Sequence, residues 1–184
     1  MRKVVATEHV TLDGVFEEPG QWSFPFWNEE SRKFKFDELF ASDALLLGRV
    51  TYQGFATAWP SMTDKQGFAD RMNSLPKFVV STTLDTAEWN NSTVIRENVT
   101  EAVAKLKQQP GQDILIYGSG ALVHTLMQHD LIDEYRFMVY PIVRGSGKRL
   151  FQDGGEAAKL KLVETKTFSS GLVVLTYWPD NAAD

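Results

Sequence analysis

Residues 45–52 read Leu-Leu-Leu-Gly-Arg-Val-Thr-Tyr, an apolar run that stops at a glycine and a cation. Three successive leucines of this kind fit a short strand buried on both faces. A strand that only had to turn would be followed by Asn, Asp, Gly or Pro. Here Gly48 is followed by Arg49, Val50 and Thr51, a guanidinium and a hydroxyl at the start of a helical pattern. Glycine lets backbone come close to a ligand. Arginine is the side chain best shaped for phosphate. A helix that starts there offers free N–H groups and a partial positive charge. The strand end reads as a grip for phosphate.

The same junction recurs twice. Phe78–Val80 runs into Ser81-Thr82-Thr83, and Ile114–Ile116 runs into Tyr117-Gly118-Ser119-Gly120. Grips on three separate strands span several ångströms, so a dinucleotide fits better than a lone phosphate. Two rival motifs do not hold. The stretch Gly118–Val123 imitates the start of G-x-G-x-x-G, but Val123 stands at the third glycine and the stretch lies late in the chain. The run Tyr117-Gly118-Ser119-Gly120 imitates a nucleophile elbow, but Tyr117 occupies a glycine position, and His124 and His129 have no evident acid partner.

Outward from these junctions, β-branched runs alternate with amphipathic ones. Strands are expected over 3–10, 44–47, 77–81, 94–95, 113–118 and 134–143. Helices are expected over 31–42, 49–56, 65–73, 100–109 and 120–129, with Thr100 capping the fourth. The stretches 160–168 and 172–178, separated by Ser169-Ser170-Gly171, read as a closing hairpin. The pattern predicts one α/β domain over residues 1–184, with a mixed, mostly parallel sheet, helices on both faces and an antiparallel C-terminal hairpin. Ligands of such sheets bind beyond the carboxyl ends of the strands.

The 184 residues suffice for one sizeable core and carry no cysteine, which excludes disulfides, thiolate nucleophiles and cysteine-ligated metal sites. A net charge of −5 with interspersed signs argues against nucleic acid or an anionic membrane as partner. The N-terminus lacks the apolar core of a signal peptide, and no stretch is long enough to span a bilayer. A cytoplasmic protein is expected.

The stretches at 45–52, 77–83 and 114–151, the last ending in DEYRFMVYPIVRGSGKRLF, resemble the dihydrofolate reductase superfamily. The closest branch is the stand-alone relatives of the C-terminal reductase domain of the riboflavin-biosynthesis deaminase–reductase. The resemblance implies about eight strands and NADPH as hydride donor. It puts Arg49 and Thr51 at the adenosine-side phosphates, with Ser81 and Thr82 near the 2′-phosphate and Gly48 among the cofactor-binding residues. Gly118, Ser119, Gly120, Ala121 and Leu122 would cradle the pyrophosphate. Thr11 to Gly14 would lie along the nicotinamide, with Asp13 the candidate catalytic group. Tyr117 would stand between cofactor and substrate, and Trp22 and Phe26, with Phe16, Phe24 and Trp27, would wall the substrate side. Lys148 or Arg149 could meet a substrate phosphate.

The resemblance also implies a small-molecule substrate and a homodimer. Folate reductases carry an acid on the first helix, and counting back from Gly48 that position falls near Arg32, with Glu29, Glu30 and Asp37 out of register. The reading is therefore a reductase of a small heterocycle or ribose phosphate. The alternatives are a non-catalytic NADP-binding module and a pterin reductase.

Overall fold

The structure, a computed structural model, describes residues 1–180. Eight strands form one sheet in the order β4-β3-β2-β5-β1-β6-β8-β7. They are β1 (Val4–Thr11), β2 (Ser42–Gly48), β3 (Lys77–Val80), β4 (Ser92–Ile95), β5 (Asp113–Tyr117), β6 (Glu134–Tyr140), β7 (Leu160–Thr167) and β8 (Val173–Pro179). All pairs from β4 across to β6 are parallel, and β8 runs antiparallel to both β6 and β7. Five α-helices join them: α1 (Glu29–Phe40), α2 (Arg49–Ala58), α3 (Phe68–Ser74), α4 (Val99–Gln108) and α5 (Gly120–Met127).

The central strands are apolar on both sides because both faces are covered. Leu45, Leu46 and Leu47 are fully buried, each worth roughly 1.5–3 kcal/mol relative to exposure. Their side chains divide between two cores. Leu46, with Val4, Ala6, Ile114 and Ile116, packs under α4 and α5. Leu45 and Leu47, with Val5 and Leu115, pack under α1, α2 and α3. A third, smaller core joins Trp22 of the β1–α1 loop to Met138, Tyr140, Leu172 and Val174.

Three helix starts differ from expectation. The first helix begins at Glu29, not Ser31. The Asn28 side chain accepts from the Ser31 N–H while the Ser31 hydroxyl accepts from the Asn28 N–H, a reciprocal cap that uses Ser31 inside the helix. The third begins at Phe68 rather than at residue 65, because the Asp64 carboxylate takes the N–H groups of Gln66, Phe68 and Ala69 in a turn ahead of it. The fourth begins at Val99, and Thr100 does not cap it. Asn98 precedes it in the left-handed region (φ 52°), which asparagine tolerates, and no side chain closes that end.

The register places the site. The pairing of β1 with β5 ends at Thr7↔Tyr117. Beyond Thr7, β1 goes on to Thr11 beside β6 alone, while β5 turns through Gly118 into α5. The sheet therefore parts between the outer half of β1 and the start of α5.

Candidate active site

The first and third strand ends meet. The Ser119 Oγ accepts a 2.7 Å hydrogen bond from the Gly48 N–H and donates at 3.1 Å to the Thr51 Oγ1. A Cβ on Gly48 would stand 3.2 Å from the Ser119 side chain. Gly118 (φ 56°) and Ser119 (φ 63°) are both left-handed, and a Cβ on Gly118 would lie 3.0 Å from the Thr51 Oγ1. Helices α2 and α5 thus start side by side, and neither start is closed by a side-chain cap. Their orphan N–H groups point to a common anion site. Arg49 is exposed, and among the described residues its guanidinium bonds the Gln53 side chain one turn on. Ala121 is exposed at the first turn of α5, and Leu122 is buried beneath it. These features suit a diphosphate: two uncapped helix starts, backbone held at contact distance by glycine, and one exposed cation.

The second strand end lies on the same edge, because Gly48 is paired with Val80. Its hydroxyl is used internally: the Ser81 Oγ accepts from the N–H groups of Thr83 and Leu84. Thr82 is exposed beside it.

Thr11 and Asp13 brace a loop. The Asp13 carboxylate accepts from the Thr11 hydroxyl (2.6 Å) and from the backbone N–H groups of Arg144 (3.2 Å) and Gly145 (2.8 Å). The Thr11 hydroxyl, and after it the Gly145 N–H, hold the Asp13 pKa down to about 2. At neutral pH it is a carboxylate with no proton to give. Gly14 turns the chain at φ 81°, Arg149 Nε donates to the Asp13 carbonyl, and Lys148 lies exposed on the same loop.

The aromatic loop packs around one tyrosine. Trp22 and Phe26 stand edge-on to Tyr140 at 5.2 and 6.0 Å between centroids. His9 stacks between Tyr140 (5.5 Å) and Trp27 (5.9 Å), its Nδ1 2.7 Å from the Tyr140 hydroxyl. Burial, and secondarily the Lys35 charge, hold the His9 pKa down to about 3, so its ring is neutral. Phe24 is exposed. Phe16 lies against the start of α5, where a Cβ on Gly120 would come within 2.6 Å of its ring.

The first helix carries what counting back from Gly48 did not find. Arg32 is exposed, whereas Ser31, Lys35 and Glu38 face inward and are buried. The Lys35 ammonium pairs with the Glu38 carboxylate, donates to the Thr7 Oγ1 at 3.1 Å and lies 4.3 Å over the Tyr117 ring. Arg136 bonds Glu38 at 3.1 Å and Glu134 at 2.6 Å. The spacing 31, 35, 38 is one helix face, a signal present in the sequence but masked by the polar character of all three residues. Among the described residues, buried Glu8 has one carboxyl oxygen without a partner, and buried Tyr117 has a hydroxyl without one. Burial pushes both pKa values well above their ordinary range.

Over residues 2–174 the sequence matches the RibD C-terminal domain family. The chain belongs to that family. Uncharacterized protein YyaP of Bacillus subtilis is 34% identical over 180 residues, covering 96% of this chain and 94% of YyaP. A Shewanella structure (strain PV-4), provisionally assigned to riboflavin biosynthesis, superposes with a TM-score of 0.78 at 20% identity, covering 97% of this chain and 99% of that one. Dihydrofolate reductase from Enterococcus faecalis, solved with NADP(H) and RAB-propyl, gives 0.64 at 16% identity over 97% of both chains. This RibD C-terminal domain thus has the dihydrofolate reductase-like fold, and its family supports a reductase.

Proposed function

We propose that this protein is an NADPH-dependent oxidoreductase that reduces a small heterocyclic or ribose-phosphate substrate, as 5-amino-6-(5-phosphoribosylamino)uracil reductase does. The observation that carries the reading is the hydrogen bond between Ser119 and Gly48, which brings two uncapped helix starts together beside Arg49. NADPH, when bound, supplies the hydride. Gly48, Thr51, Gly118, Ser119 and Gly120 hold its diphosphate by backbone and hydroxyl, and Arg49, with Ser81 and Thr82 nearby, meets the adenosine-side phosphates. The parted sheet between β1 and α5 receives the nicotinamide, with Tyr117 and the aromatic loop on the substrate side.

A pterin substrate fits less well. The inward carboxylate of α1, Glu38, is held by Lys35 and Arg136. A non-catalytic NADP-binding module would keep the same phosphate grip, so binding and turnover must be separated. Titration should show NADPH bound, and its 340 nm absorbance should fall when a pyrimidine ribose phosphate is added. Binding without oxidation against pyrimidines and pterins would make the protein a module. Arg49→Ala should weaken NADPH more than NADH. Equal loss for both would remove Arg49 from the 2′-phosphate.

The cytoplasm is the proposed compartment, in keeping with a chain without cysteine. A homodimer is the proposed assembly. The outermost strand, β7, leaves Leu162 and Val163 exposed, and Trp178 of β8 is exposed beside it. Light scattering at the mass of one chain would exclude it.

A further inference from the structure

Beyond its uncapped start, α2 borders a cavity. Residues 52, 53, 56 and 57 are neighbours on one side of that helix. With Trp89 of the β3–β4 connection they line a space of about 470 Å³, a size that suits a small molecule. The inner wall is aromatic. Tyr52 and Trp89 are both buried, and the Tyr52 hydroxyl accepts the Trp89 backbone N–H at 3.0 Å, tying helix to loop. The rim is polar. Among the described residues that line the cavity, Glu88 alone carries a charge, and its exposed carboxylate has neither an ion pair nor a hydrogen bond. Two further rim groups are acceptors. The Thr57 hydroxyl gives its proton to the Gln53 backbone carbonyl, which leaves it only lone pairs to offer. The Gln53 side-chain oxygen accepts from the Arg49 guanidinium at 3.0 Å. Lys77 lies over the Trp89 ring, but its N–H groups are spent on the carbonyls of Asn73, Leu75 and Asn90.

We propose that this cavity is a second ligand site, one that takes a small monocationic amine with an apolar body, and that its occupant and NADPH strengthen each other's binding. The coupling rests on the reductase reading above; the amine site does not. An apolar body covers Tyr52, Trp89 and Ala56, while an ammonium, a donor only, meets the Glu88 carboxylate and the acceptors beside it. An anionic ligand would face Glu88 instead, with no cation in the described lining to offset it. The link to the cofactor runs through Gln53, which lines the cavity and also holds Arg49, the exposed cation at the start of α2. An ammonium that takes the Gln53 oxygen releases the guanidinium toward phosphate. It also adds a positive charge one helical turn from that site. Both effects act in the same direction, and by linkage each ligand then tightens the other.

The test is an NMR titration of the isotope-labelled full chain, read at the Trp89 indole N–H, whose signal Trp89→Phe identifies. Phenethylamine is the probe and hydrocinnamate its anionic counterpart. Without NADPH, the amine should saturate the signal with a Kd on the order of 1 mM, the scale for so small a ligand. Hydrocinnamate should bind more weakly. No saturable shift with the amine, or equal binding of the two probes, overturns the site. Glu88→Gln is an exposed substitution and should weaken the amine by about two- to fivefold, the scale of one exposed ion pair. Unchanged affinity overturns the selection of a cation. At saturating NADPH the amine affinity should rise by about two- to fivefold, again the scale of an exposed polar contact. Gln53→Ala should still bind the amine and lose most of that rise. An unchanged or lowered affinity with NADPH bound, or a full rise in Gln53→Ala, overturns the coupling. Absence of NADPH binding is a different result: it removes the reductase reading and the coupling with it, while the titration without NADPH decides the amine site.

Discussion

The Ser119 hydroxyl holds the Gly48 N–H at 2.7 Å, joining the end of β2 to the start of α5 across 71 residues of chain. Two helix starts are thereby fixed side by side at one edge of the sheet. The bond works because Gly48 and Gly118 have no side chain in the way, with Ser119 and Thr51 filling that space.

Gly118 is a position where this arrangement leaves little room. It is left-handed, and a Cβ there would press on the Thr51 Oγ1 at 3.0 Å. Gly118→Val should cost about 1–2 kcal/mol from backbone conformation alone. That corresponds to a fall of about 2–8 °C in Tm for a chain of this size. NADPH affinity should drop further than stability does, because Thr51 and Ser119 are displaced together. Thermal melts and NADPH titration check both parts, and an unchanged NADPH affinity would remove Gly118 from the grip.

Two neighbours on β1, buried Glu8 and half-buried His9, make stability depend on pH in opposite directions. The folded His9 pKa is about 3, below its unfolded value. Its contribution is complete above the unfolded pKa and is lost as pH falls from there toward 3, because the unfolded chain then binds the extra proton. The folded Glu8 pKa is raised by burial, with Lys35 opposing. Its contribution is complete below the unfolded pKa of an ordinary glutamate and is lost as pH rises above it. Glu8→Gln should therefore stabilise the protein more at pH 8 than at pH 5. His9→Phe should flatten the decline on the acid side. Urea midpoints measured across that range read both slopes, and parallel curves for variant and parent would contradict the assignment.

The sheet was legible because its signal is local. Runs such as Leu45–Leu47 and Ile114–Ile116 are too apolar to lie anywhere but between two helical layers, and the glycines after them mark where the chain must come close to something. The charged face of α1 was not legible. Ser31, Lys35 and Glu38 look like a solvated helix face, since polar residues at that spacing are ordinarily outside. Only the tertiary partners Thr7, Tyr117 and Arg136, drawn from three other strands, turn that face inward. Counting back from Gly48 pointed to Arg32 because it assumed an inward residue at a fixed distance, and the reciprocal cap at Asn28 sets the phase of the helix differently.

Asp13 ties the loop after β1 to the loop after β6. Its carboxylate bonds the Arg144 and Gly145 N–H groups, and the bridge Val15↔Arg149 runs alongside. Asp13→Ala should speed amide exchange at Gly145 and in the loop from Leu12 to Phe16, with only a small change in Tm because the carboxylate is on the surface. Hydrogen-exchange mass spectrometry of those two segments is the measurement. Unchanged exchange in both would show that the backbone bridge holds the loops unaided.

The pair under α1 couples two buried charges whose removal one at a time and together should differ in cost. Removing one partner strands the other, so Lys35→Met leaves the Glu38 carboxylate buried with Arg136 as its remaining counter-charge. Breaking a buried pair in this way costs about 3–5 kcal/mol, and the retained Arg136 bond places the expected loss at the lower end. Glu38→Leu leaves the Lys35 ammonium with the Thr7 hydroxyl, the Tyr117 ring and the field of the Glu8 carboxyl, a poorer set, and should cost more. Lys35→Met with Glu38→Leu should be milder than either single change, because no charge is left unpaired and Arg136 keeps Glu134. Denaturant unfolding of the four proteins gives the coupling directly. Additive losses would mean that the two charges do not sense each other.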